Sequence, residues 1–143
     1  MLRFMARVEE EAGHGFVASF PDLPEAMAAG ESRDMALNAA RSVLEAALLY
    51  RARDNEPLPA PAATGPELVP VDVSAMVLAK IGFILAFHQS GMTRVELGRR
   101  IGKSEGEVRR LLDPWHGSKL AALDTALRAM GKAYAITVED SAA

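Results

Sequence analysis

The chain has 143 residues, 50% of them hydrophobic and 24% charged, with 16 Lys+Arg set against 19 Asp+Glu. That length holds one ordinary domain or two small ones, and the apolar share excludes general disorder. The absence of cysteine excludes disulfides, cysteine-based zinc sites and thiol catalysis.

The charge is divided along the chain. Residues 1–73 carry six basic and twelve acidic side chains, a net of −6, whereas residues 74–143 carry ten basic and seven acidic ones, a net of +3. This split predicts two modules, 1–73 and 74–143, with different partners. The opening MLRFMARVEEE turns acidic before any long apolar stretch, so it does not read as a secretory signal. The most apolar segment, 75–87, is too short for a membrane span and contains Lys80. A cytoplasmic protein without a membrane partner is expected.

Taken in order, Leu2 to Val8 alternates as a strand, and 9–15 reads as a polar turn that includes His14. Phe16 to Phe20 is a second strand, the hairpin partner of the first. Two prolines make 21–24 (PDLP) a rigid loop. Ala26 to Ala29 suits a short third strand. Ser32 reads as the N-cap of a long helix to Arg53, with Ala36, Ala40, Val43, Ala47 and Tyr50 at helical spacing. Residues 57–66 hold four prolines and form an extended connection. Residues 68–73 return as a strand, which Pro70 confines to a sheet edge.

The second half predicts short helices. Ser74 caps the first, which ends near Gly91. The next two run from Thr93 to Gly102 and from Ser104 to just before Pro114. Ser118 caps a fourth, closed by Gly131, and 133–138 (AYAITV) reads as a terminal strand. Within TRVELGRRIGKSEGEVRRLL (93–112), Thr93 with Glu96 and Ser104 with Glu107 are spaced as capping boxes. Two helix starts with only Gly102-Lys103 between the helices predict a helix-turn-helix. Gly98 falls where the two helices cross.

The second helix of such a pair fits the DNA major groove. Arg109 is placed to reach guanine acceptors or phosphate, with Arg110 beside it. Thr93 and Arg94 are placed to touch phosphate, and Lys103, Ser104 and Lys119 flank the same helix. Glu105 is not needed by a cap; it either accepts from a cytosine amino group or opposes the anionic duplex.

Taken together, GFVASFPDLPEAMAAGESRDMALNAARSVLEAAL, the PLPAP linker and the C-terminal helix-turn-helix resemble a HicB-type antitoxin with a Cro/repressor-like DNA-binding domain. In this chain PDLPEA stands where that family usually has a Gly-containing turn after the loop. The resemblance implies an α+β protein: a partial RNase H-like domain, a small sheet with one long helix, followed by an all-α helix-turn-helix domain. It implies an antitoxin that neutralises a HicA-type, mRNA-cleaving toxin and represses its own operon by binding operator double-stranded DNA. It also implies a homodimer or tetramer, formed through the DNA-binding half; on the sequence, the apolar helix 75–87, the fourth helix and the terminal strand are all open as that interface.

Acidic groups of the first module, Glu9, Glu10, Asp22 and Glu25, are the candidate contacts to a basic toxin. Their spacing does not force the convergence of carboxylates that a metal-dependent nuclease needs. His14, His88 and His116 lack paired metal spacing, so no metal, no cofactor and no catalytic residue is expected. Trp115 is expected to pack the fourth helix onto the third. The alternative from another class is a stand-alone regulator whose first module senses a small ligand.

Overall fold

Alternating apolar residues at Phe4 and Ala6 form one face of strand β1 (Arg3–Glu11), an inner strand of a four-stranded antiparallel sheet. The computed structural model describes residues 2–13 and 15–142; His14, expected in a turn, lies outside the described residues. The sheet order is β3 (Met27–Gly30), β2 (Gly15–Ser19), β1 and β4 (Val69–Asp72). β1 runs three residues further than the alternation implies: Glu9, Glu10 and Glu11 pair with Val17, Phe16 and Gly15. Their side chains are exposed while the backbone ladder continues, so polarity there does not mark the turn. Register aligns Phe4 with Val71, Ala6 with Val69 and Val8 with Ala18, which sets one apolar face.

Helix α1 (Arg33–Arg53) follows β3, and its part up to Leu48 belongs to the same compact unit as the sheet. Ser32 accepts the Met35 N–H as its cap. Ala36, Ala40, Leu44 and Leu48, one every four residues, are fully buried, as are Phe4, Ala6 and Ala18 on the sheet. The start of the helix lies tight against the end of β3. A Cβ on Gly30 would lie 2.7 Å from the carbonyl carbon of Met35, with the Ala36 backbone beside it.

The PDLP loop ties down the linker. Asp22 Oδ2 accepts from the N–H groups of Ala62 and Ala63, both at 2.8 Å.

The chain divides into two compact units. The first comprises Met1–Leu48, Leu58–Ser74 and Thr137–Ala143; the second comprises Leu49–Pro57 and Ala75–Ile136. The second contains α2 (Ala75–Ser90), α3 (Arg94–Ile101), α4 (Glu105–Leu112) and α5 (Leu120–Ala129). Its core includes Phe83, Ile84, Leu97, Val108 and Leu123. The architecture is α+β. No single helix among the described residues is long and apolar enough to cross a membrane.

Three local expectations are corrected. Residues 133–138 form no strand in the single chain, whose described strands all pair within the one four-stranded sheet. Instead the Tyr134 hydroxyl donates to the Ala79 carbonyl at 2.6 Å, and Ile136 and Val138 stay exposed. Ser118 does not cap α5, whose N-cap is Lys119 with no side-chain bond. Trp115 stacks edge-on against Tyr50, with ring centroids 5.2 Å apart, rather than joining the fourth helix to the third.

Gly30→Ala is expected to lower the unfolding free energy by about 1–3 kcal/mol through overpacking. Urea denaturation reads this, with Gly117→Ala as the control, since a Cβ at Gly117 meets nothing within 4 Å.

Candidate nucleic-acid interface

The α3–α4 turn is built from three local devices. Thr93 stands extended before α3, and its hydroxyl oxygen accepts the Glu96 N–H at 3.1 Å. The box expected there is half formed, since no return bond from Glu96 exists among the described residues. At the far end Gly102 takes a left-handed conformation (φ 68°), and Lys103 donates its N–H to the Gly98 carbonyl at 2.8 Å. Ser104 and Glu107 then close a complete capping box: Ser104 Oγ accepts the Glu107 N–H at 3.1 Å, and Glu107 Oε2 accepts the Ser104 N–H at 2.7 Å. These bonds hold the Glu107 carboxyl below the usual carboxylate range.

Gly98 is required by this turn. A Cβ there would sit 2.6 Å from the Lys103 carbonyl oxygen and 3.4 Å from Val108 Cγ2. The crossing point is therefore a backbone-to-backbone approach, as its position in the sequence implies.

The exposed side of the pair carries an ion triad. Glu105, the first residue of α4, binds two arginines through different oxygens. Oε1 lies 2.9 Å from Arg94 Nε on α3, and Oε2 accepts from Arg109 Nη2 at 2.7 Å, one helical turn along. The Arg109 hydrogen bond, followed by the charges of Arg109 and Arg94, keeps the Glu105 carboxyl below its ordinary range. Arg94 and Arg109 also border an open groove of about 660 Å³, whose apolar wall includes Phe87, Met92, Leu112 and Trp115.

Of the residues expected to face DNA, the structure thus brings Arg94, Glu105 and Arg109 together. Thr93 and Ser104 are engaged in helix caps beside them. Lys103, Arg110 and Lys119 are exposed in the turn, on α4 and at the start of α5. In the first unit Glu9, Glu10 and Glu25 are exposed, and Asp22 is half-buried against the linker amides. No group of three or more metal-binding side chains exists among the described residues.

Residues 3–82 match the family described as "HicB_like antitoxin of bacterial toxin-antitoxin system". The chain belongs to this HicB-like antitoxin family. It is 33% identical over 138 residues to Antitoxin HicB 1 of Photorhabdus laumondii, covering 96% of this chain and 88% of that one. It is 37% identical over 126 residues to Antitoxin HicB of Escherichia coli K12, covering 87% and 90%. It is 32% identical over 140 residues to Antitoxin HicB of Pseudomonas fluorescens, covering 97% and 95%. The likeness therefore extends beyond residue 82 into the helical half.

One residue that orders the helical unit of this HicB-like chain was not singled out by the motif. Lys80, on α2, is the one charged side chain buried among the described residues. Its Nζ donates to the Leu111 carbonyl at 2.7 Å, the Ser118 hydroxyl at 2.8 Å and the Arg110 carbonyl at 3.4 Å. A cation at a helix C-terminus satisfies carbonyls that lack intrahelical donors and opposes the negative end of the dipole. The signal was a lone lysine in an apolar helix.

Burial pushes the Lys80 ammonium down to about 8 from 10.5. Between those values the unfolded chain holds a proton that the folded chain has released, so this group's contribution to stability rises with pH. Wild type minus Lys80→Met is expected to grow in unfolding free energy between pH 8 and 10, by at most about 1.4 kcal/mol per pH unit. Denaturant titrations at several pH values read the slope. Gly98→Ala should destabilise the helical unit by about 1–3 kcal/mol through its clash with the Lys103 carbonyl.

Proposed function

We propose that this HicB-like antitoxin has two activities. Its first unit binds and neutralises a HicA-type, mRNA-cleaving toxin. Its helical unit binds the operator of their shared operon as a helix-turn-helix repressor. The single observation that carries the DNA half is the exposed start of α4, where Arg109 and Arg94 stand beside a tightly capped turn. A helix so held has the size of the major groove. Arg109 serves as a base or phosphate reader. Thr93, Arg94, Lys103, Ser104, Arg110 and Lys119 supply backbone contacts that fix register.

One such pair covers a half-site, so a homodimer or tetramer spanning about one helical turn of DNA is the working assembly. The acidic first unit suits a basic, RNA-handling partner. Glu9, Glu10, Asp22 and Glu25 are its candidate contacts, and Asp22 also shapes the loop beside them. The protein acts in the cytoplasm, where both the transcript and the operator lie.

Two measurements test the reading. Arg109→Ala should weaken binding to the duplex upstream of the gene by about 1–3 kcal/mol if the side chain reads a base. An unchanged affinity removes Arg109 from the interface. For the toxin half, the full chain should abolish RNA cleavage by the product of the adjacent reading frame. The Glu9→Lys/Glu10→Lys variant should slow association with that product most at low salt. Cleavage that continues in the presence of excess wild-type chain would sink the antitoxin assignment to that partner.

A further inference from the structure

Glu105 is the acid that helix capping leaves unexplained, since Glu107 beside it closes the box with Ser104. Glu105 opens α4, and each of its oxygens holds a different guanidinium, Arg94 at 2.9 Å and Arg109 at 2.7 Å. The arginine side chains are 50% and 64% exposed and the carboxylate is 34% exposed, so all three meet solvent. The carboxylate thus lies between two arginines as an anion supplied from within the chain.

On the reading that α4 faces duplex DNA, we propose that Glu105 is a specificity-determining residue. It is an internal anion that competes with phosphate for Arg94 and Arg109 while leaving Arg109 able to meet a base edge. The asymmetry is electrostatic. A phosphate reaching either guanidinium must displace Glu105 or lie beside it, and two anions sharing one cation repel. A guanine edge is neutral and asks for no displacement. Arg109 has five N–H donors in a planar fork and spends one, on Nη2, in its bond to Glu105. Phosphate-only binding is therefore weakened more than base readout, and the gap between specific and non-specific DNA widens.

The test uses the full chain, the duplex upstream of its gene and a scrambled duplex of equal length, with affinities read by fluorescence anisotropy across 50–200 mM salt. Glu105→Gln keeps the shape and removes the charge. It is expected to tighten binding to the scrambled duplex about five- to tenfold at the low-salt end, and to steepen its log–log salt slope by about 1. The upstream duplex should gain less, so the ratio of the two affinities falls. Glu105→Ser, which also lacks the charge, should do the same, and thermal melts confirm which variant is folded.

An unchanged ratio overturns the proposal. So does a loss on the upstream duplex equal to that of Arg109→Ala, which would make Glu105 a support that orients Arg109. If the wild-type chain itself shows no preference for the upstream duplex at any salt, the DNA reading fails, and this inference with it. A wild type with preference and an unaltered variant rejects the inference alone.

Discussion

The helical unit rests on one buried ammonium. Lys80 lies in an otherwise apolar helix, yet it reaches the last carbonyls of α4 and the Ser118 hydroxyl that follows. Removing a cation from water is costly, as the lowered value of the Lys80 ammonium records, and the cost is reduced when its donors find acceptors. Here they find the end of a helix, where carbonyls are already short of partners. The bond therefore solves two problems together, and it fixes α4 at its C-terminus while the Ser104–Glu107 box fixes the N-terminus. An eight-residue helix is too short to hold itself in water. Held at both ends, it presents Glu105 and Arg109 in a definite geometry.

The first unit reaches order by different means. Its helix carries a buried stripe of Ala36 and Ala40 followed by Leu44 and Leu48, small side chains near the start and larger ones further along. Gly30, at the end of β3, meets the backbone of Met35 and Ala36 at the start of the helix. Arg3 and Asp72, cross-strand partners in β1 and β4, bind each other at 2.6 Å, and the Ala142 N–H reaches the same carboxylate. Polar groups thus close the rim of an apolar layer. The acidic strand end Glu9–Glu11 lies outside that layer, so its charge costs the fold little.

Much of this was legible in the sequence because it depends on local rules. Alternation in Phe4–Ala6–Val8, the four-residue stripe of α1, Pro70 at an edge and Gly98 at a crossing each follow from backbone geometry or spacing. The Ser104–Glu107 box is equally local. Most of what could not be read depends on groups far apart in the chain; the half-closed Thr93–Glu96 pair is the local exception. The spacing of Thr93 and Glu96 matches that of Ser104 and Glu107, yet only one pair closes fully. Ser118 has the chemistry of a cap, but Lys80, 38 residues earlier, takes its oxygen. Trp115 finds Tyr50 for the same reason. The triad is half legible: Glu105 and Arg109 stand one turn apart on a helix, whereas Arg94 joins them only through the turn.

Pro70 has a consequence for how the sheet meets other chains. It sits in β4, opposite Met5, and contributes no N–H to any neighbour. A strand arriving at that border finds a gap in the hydrogen-bond pattern, and proline at a border is a recognised safeguard against strand-to-strand association. The opposite border, β3, has no proline between Met27 and Gly30. Lateral growth of this small sheet is therefore polar in direction, discouraged along one margin by a single ring and left to the other.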